Sequence, residues 1–198
     1  MTIRAGVEWG DSVARPDGLV VAGSDAELAA LVAGGAAAPL AVAAGDLRRT
    51  LGAGTHGPAV TTVQRVPLDV IRVRADDVEL LAVAHVVARR SWWRGRLIGV
   101  FNCEHLGAWD VAPRAHPNDG RVDVVEVDQE MRWRARLQAW RRLPSGTHVP
   151  HPAIRLSRRE SASWEFPKAL RLFVDGRARG RVRRLTVTVE PDAFHLHI

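Results

Sequence analysis

Among the places where aspartate stands beside or near glycine, four are candidates for chemistry: Gly23-Ser24-Asp25, Gly45-Asp46, Asn118-Asp119-Gly120 and Asp175-Gly176. A carboxylate can accept a proton or coordinate Mg²⁺, and the same sequences also make ordinary turns and helix caps. Cys103 is the only cysteine, which excludes an intrachain disulfide and an all-cysteine zinc site. In Cys103-Glu104-His105 the thiol and imidazole are two residues apart on one strand, a spacing that does not make the hydrogen bond of a nucleophile pair. His195 and His197 share a strand face and His148 lies close to His151, yet no third or fourth metal ligand follows from spacing. Lys168 is the only lysine, and a phosphate-gripping loop ending in Gly-Lys is absent.

The positive charge is therefore almost wholly arginine. Lys plus Arg number 28 against 22 Asp plus Glu, a net +6, which suits an anionic partner such as phospholipid, nucleotide or nucleic acid. Two arginine clusters carry tryptophan: Trp92-Trp93-Arg94-Gly95-Arg96, and the stretch with Trp133, Arg134, Trp140 and Arg141. Paired indoles beside guanidinium groups suit the headgroup zone of a bilayer, each arginine contributing about 1 kcal/mol near an anionic surface. The plainer alternative is that Trp133, Leu137 and Trp140, at i, i+4 and i+7, pack a helix onto the protein while the arginines stay solvated. Nucleic acid is disfavoured: no recognition motif is present, tyrosine is absent and the acids are interspersed.

The length of 198 residues suits one domain, or one domain plus a fragment. Residues 17–52 alternate strand, helix, strand, helix: Leu19–Ala22, a helix capped by Ser24 or Asp25, Pro39–Val42, then a short helix from Asp46 to Gly52. Residues 53–60 predict a loop. Beyond it β-branched and alternating segments predict strands at Leu68–Val73, Val78–Ala88, Arg96–Asn102, Val122–Val127, Ala153–Leu156, Leu170–Val174, Leu185–Glu190 and Ala193–Ile198. One main helix is expected within Asp128–Leu143. The fold class expected is α+β, an antiparallel β-sandwich-like domain over 59–198 preceded by a short α/β unit over 1–58. No run approaches the ~18 apolar residues of a spanning helix and no secretory core opens the chain, so a cytoplasmic protein, soluble or peripheral at the inner face of the membrane, is expected.

The order of elements resembles a known family. Val100–Ala115 with Ala112-Pro113-Arg114-Ala115, then Asn118-Asp-Gly-Arg-Val-Asp-Val124, the arginine-rich helix, Gly146-Thr-His148 and Val174-Asp-Gly176 follow the C-terminal β-rich domain of the bacterial diacylglycerol kinase and YegS-like lipid kinases. Within that resemblance Val20–Leu28 is similar to the family's strand followed by Gly-Gly-Asp-Gly-Thr, with Gly23 and Asp25 matching and Ser24, Ala26 and Glu27 departing. Pro39–Gly52 resembles the next strand and nucleotide loop, shortened around Gly45 and Asp46.

The resemblance implies ATP and Mg²⁺ as cofactors of an active member, Asp119 helping to hold the metal through water, and Asp175 as general base. Phosphoryl transfer needs cradled phosphates and neutralised charge. Ala26 adds a Cβ where close approach is required, and Glu27 brings a carboxylate toward phosphate, a repulsion on the order of 1–4 kcal/mol. Arg177 stands where the family has glutamate. The stretch before residue 17 is also short for the family's opening elements. The reading that results is a degenerate lipid kinase-like protein that binds lipid or phospholipid headgroups, without cofactor, its catalysis lost or dependent on a partner. The alternatives are an active ATP-dependent lipid kinase, or a scaffold subunit pairing as a homo-oligomer or with a complete kinase chain.

Overall fold

The structure, a computed structural model, describes residues 9–52 and 60–198. The domain boundary expected at 58/59 lies outside the described residues. The front of the chain runs β1 (Asp11–Ala14), a strand additional to those expected, and then β2 (Val20–Ala22), α1 (Asp25–Ala33), β3 (Leu40–Val42) and α2 (Asp46–Leu51), the expected strand–helix alternation. β2 and β3 pair in parallel, Val20 opposite Leu40, with α1 as their crossover. Gly52 ends α2 in the left-handed conformation at φ 59°. Leu28, Val42 and Leu47 share a core with Val66, Leu68, Val70 and Leu196, and β3 meets the last strand where Leu40 is opposite Leu196.

The remainder is mostly antiparallel sheet: β4 (Thr62–Ala75), β5 (Val78–Ala82), β6 (His85–Arg89), β7 (Leu97–Phe101), the short β8 (His105–Leu106) and β9 (Trp109–Asp110), then β10 (Val122–Val127). Helix α3 (Trp133–Arg142) is followed by β11 (Ile154–Arg159), β12 (Ser161–Val174) and β13 (Arg177–His197). The sheet runs β1-β4-β13-β12-β6-β7-β10-β11. Register shifts between Glu165 and Leu170 and between Glu190 and Phe194 bend its long strands. One core then contains Ile71 and Val73 of β4 and Val187 of β13 together with Val86, Ile98, Val100 and Val124 of β6, β7 and β10, a sandwich-like arrangement. Among the described residues no helix is long and apolar enough to cross a membrane.

β4 and β12 begin earlier than expected, at Thr62 rather than Leu68 and at Ser161 rather than Leu170, and three other departures have a local reason. The expected strand Val78–Ala88 breaks at Val83–Ala84, whose N–H groups leave the ladder to bind the Asp175 carboxylate. The last two expected strands are one, β13, because the interruption at Pro191-Asp192 is a bulge, with Asp192 at φ 53° and pairing resumed at Phe194 opposite Leu68. Helix α3 starts only at Trp133, because Asp128 closes a turn that accepts the N–H groups of Glu130 on its side chain and Met131 on its carbonyl.

β6, β7 and β10 are buried on both faces. Val86, Ile98 and Val124 face the sandwich, while Val87, Phe101 and Val125 face the layer formed by α3 and the 103–115 segment. Gly99 makes this layer possible, since a Cβ there would collide with the Phe101 ring.

Candidate active site and apolar cleft

At the end of β2 the chain turns through Gly23, and Ser24 caps α1 by accepting the Glu27 N–H on Oγ at 3.3 Å. Glu27 reaches back so that its Oε2 accepts the Gly23 N–H at 2.7 Å, a close relative of the reciprocal capping box. Asp25, the next residue, is 5% exposed and points to the start of α2, accepting the Asp46 N–H at 2.6 Å. Gly45, at φ 135°, is required beneath it, because a Cβ there would collide with the Asp25 carboxylate. Asp25 Oδ1 is buried without a hydrogen-bond partner. Burial pushes the Asp25 carboxyl up to about 7; the Asp46 N–H opposes this, while the charges of Asp175 and Asp46 reinforce it.

Asp175 and Gly176 form the tip of the β12–β13 hairpin at φ 46° and 74°, the left-handed pair that a two-residue Asp-Gly turn supplies. The Asp175 side chain is nevertheless buried, accepting N–H groups from Val83 at 3.0 Å and from Ala84 and His85 at 2.9 Å each. Burial raises its pKa against the pull of those N–H groups and of His85. Asp46 completes the group: Oδ1 accepts the Gly107 N–H at 2.8 Å and Oδ2 lies 3.6 Å from His85 Nδ1. Burial holds the His85 pKa below its ordinary value, so the ring is neutral. Cys103 sits among these groups, its thiol pushed well up by burial and then by Asp25, Asp46 and Asp175. The structure thus brings together Gly23, Asp25, Gly45, Asp46 and Asp175, from segments up to 150 residues apart.

Asp119 lies elsewhere. Its Oδ1 accepts the Arg121 N–H at 2.9 Å and its Oδ2 pairs with Arg158. The carboxylate at the heart of that region is Asp69, fully buried in β4, which accepts N–H groups from Gly120 at 2.7 Å and Asp192 at 2.9 Å. Asn118 Nδ2 donates to Asp192 Oδ1 at 2.9 Å. Asn102 ties this hub to the first, donating from Nδ2 to the carbonyls of Asp69 and Val83, both at 3.1 Å. The one signal for Asp69 in the sequence is a carboxylate in the otherwise apolar run from Leu68 to Ile71.

Beneath α3 lies an apolar cavity of about 90 Å³ whose lining includes Trp92, Trp93, Trp109, Trp140, Phe101 and Leu143. Trp92 meets Trp109 edge-on at 5.6 Å, and Trp140 lies 6.0 Å from Trp93 and 6.3 Å from Trp109. The face of α3 turned inward carries Arg136, Ala139 and Trp140 rather than the whole Trp133–Leu137–Trp140 stripe. Trp133 is 58% exposed under Arg134, and the buried side chain is Arg136. Arg136 donates to the carbonyls of Met131, Trp92, Gly95 and Asp128, so its burial is matched by hydrogen bonds. Arg94 and Arg141 are exposed next to Trp93 and Trp140 in the chain, and Arg134 lies over Trp133. Arg96 instead faces Glu126 and Phe166. The cavity and the carboxylates flank one hairpin: Leu106 and Trp109 line the cavity, and Gly107 between them bonds Asp46.

The loop residues that resemble the family's nucleotide-binding segments are engaged within the chain itself. The Gly23 N–H that would face a phosphate is held by Glu27, and the Asp25 carboxylate fills the space over Gly45. They also offer no ready Mg²⁺ cage: Asp46 and Asp175 accept backbone N–H groups, Asp119 pairs with Arg158, and no metal-holding cluster of His, Cys, Asp and Glu occurs among the described residues.

A family model described as the YegS C-terminal NAD kinase beta sandwich-like domain matches residues 18–198. Three solved structures from Bacillus anthracis str. Sterne, named as diacylglycerol kinases, share the fold at 14% sequence identity. Each alignment covers 90% of this chain, with 77%, 76% and 75% of the other chain and TM-scores of 0.65, 0.63 and 0.62. No curated protein matches the sequence.

Proposed function

The chain belongs to the YegS C-terminal NAD kinase beta sandwich-like family, within the diacylglycerol kinase and YegS-like lipid kinases, and from that premise we propose that it binds lipid with phosphoryl transfer lost or dependent on a partner chain. One observation carries this reading: the Glu27 carboxylate accepts the Gly23 N–H, in the loop that resembles the family's phosphate-binding segment. The chain's own anion takes the place of the nucleotide's. The lipid side, by contrast, retains an apolar cavity walled by four tryptophans.

An acyl chain enters under α3. The cavity of about 90 Å³ is smaller than the ~300–1,000 Å³ of ordinary ligand pockets, so entry requires α3 to lift. The exposed Trp93, Trp133 and Trp140, with Arg94, Arg134 and Arg141, suit contact with an anionic membrane face while it does. A hydroxyl at the head of a chain seated there comes toward the Gly107 hairpin and Asp46. The protein is then peripheral at the inner membrane face, and a homo-oligomer or complete kinase chain is the partner that could restore catalysis.

The test is co-sedimentation with vesicles containing diacylglycerol and anionic lipid. The intact chain pellets, and the Trp93→Ala/Trp140→Ala variant stays in the supernatant; failure of the intact chain to pellet overturns the reading. The competing reading, an active lipid kinase, is favoured by a single feature, the Asp25 carboxyl near neutrality beside Asp175, the kind of perturbation that active sites show. It requires transfer of labelled phosphate from ATP to diacylglycerol, abolished by Asp175→Asn.

A further inference from the structure

The outward face of the sheet carries a row of like charge. Arg89 of β6 is directly opposite Arg171 of β12, and Arg171 is directly opposite Arg181 of β13. Adjacent strands lie ~4.8 Å apart, so the three Cα atoms span only ~10 Å. Like charges directly opposite one another destabilise a sheet, and arginine cannot relieve the strain by losing its proton.

The usual remedy is an interposed acid, and this groove has none. Arg90, Arg94 and Lys168 line it with the three arginines of the row, in a volume of about 510 Å³ without a single Asp or Glu. Among the described residues none of the six forms an ion pair. Arginines elsewhere do: Arg72 with Glu190, Arg121 with Glu160 and Arg158 with Asp119. The groove is also partly preorganised. The Arg89 guanidinium lies 4.3 Å from the Trp92 ring centre and 4.5 Å from that of Phe173, and its Nε is buried with no partner. Burial, and then the charge of Arg171, hold the Arg89 pKa below its ordinary value. An anion with several oxygens is the group that satisfies such a row, because each guanidinium can fork two N–H groups onto phosphate oxygens.

We propose that this groove binds the phosphate group of an anionic ligand, whether a phospholipid headgroup or a free phosphate compound, with Arg89, Arg171 and Arg181 as the ligating row. This goes beyond the acyl-chain reading: the groove and the cavity share Trp92 alone, so either can fail without the other.

The test compares the full chain with Arg171→Gln and Arg181→Gln in two arms. In the first, melting temperature is measured in inorganic pyrophosphate and in chloride of equal ionic strength. In the second, binding is measured to phosphatidylcholine vesicles with and without phosphatidic acid. Both variants remove an exposed side chain from a repulsive row, so they fold and melt higher than the parent in low-salt chloride. Pyrophosphate raises the parent's melting temperature beyond chloride, and each substitution weakens that affinity roughly tenfold, as loss of a charge-assisted hydrogen bond does. A response confined to phosphatidic acid vesicles, and lost in both variants, identifies the source as a lipid headgroup. If chloride stabilises as much as pyrophosphate and the variants bind the vesicles as the parent does, the proposal is overturned.

Discussion

Replacing Asp25 by asparagine isolates the energetics of the buried carboxylate group. Burial raises the Asp25 pKa from 3.8 to about 7, so the folded protein holds that proton more tightly than the unfolded chain. The linked stability is fully present below 3.8, declines as pH rises, and is lost above about 7. Each decade of proton affinity is about 1.4 kcal/mol, so a little over three decades put the loss at ~4 kcal/mol at pH 8. Asparagine is nearly isosteric and neutral at every pH. It keeps an oxygen for the Asp46 N–H, now 2.6 Å from Asp25 Oδ2, but puts its NH2 where Oδ1 is buried without a partner, a cost of roughly 1 kcal/mol at any pH. The expected net gain at basic pH is ~3 kcal/mol, or about 6–12 °C for a chain of this length. Near pH 4 the variant is slightly the less stable of the two. Urea unfolding followed by tryptophan fluorescence across this pH range gives both curves, and their difference cancels Asp123, also raised to about 6. A variant less stable at pH 8, with the parent's pH slope intact, refutes the reasoning.

Three further outcomes are expected. Asp175→Ala removes the acceptor of three buried N–H groups and places alanine at φ 46°; at about 1–3 kcal/mol per orphaned group, urea denaturation should show a loss of more than ~3 kcal/mol. Glu27→Ala releases the Gly23 N–H while the backbone N–H of residue 27 still caps onto Ser24 Oγ, lowering stability by about 1 kcal/mol in thermal melts. Arg136→Met strips hydrogen bonds from four carbonyls under α3; it should cost about 3 kcal/mol and increase binding of an apolar dye as the helix loosens.

What the sequence disclosed and what it hid follow from the range of the interactions. β2, α1, β3 and α2 fell where strand runs, Ser24 and the glycines put them, because caps and turns act within a few residues. The Asp-Gly turn at 175–176 was equally legible. The deeper role of Asp175 was not, since its three N–H partners stand about ninety residues earlier and their diversion also splits the expected strand at Val83. Periodicity assigns the inner face of α3 to Trp133, Leu137 and Trp140, and of these only Trp140 lines the cavity. The residue buried is Arg136, because carbonyls of the Trp92–Gly95 turn await its guanidinium, and nothing in the helix's own sequence reveals them. Asp69 was passed over as one polar residue within a strand, although its partners come from the Asp119 turn and the β13 bulge. In each case the missing information is a contact between distant segments.

The central claim, lipid binding without a nucleotide, is tested most directly by native mass spectrometry of the intact chain mixed with diacylglycerol, Mg²⁺ and ATP. The expected spectrum shows a species carrying one lipid and no nucleotide. A nucleotide adduct, or a chain that emerges without lipid, contradicts it.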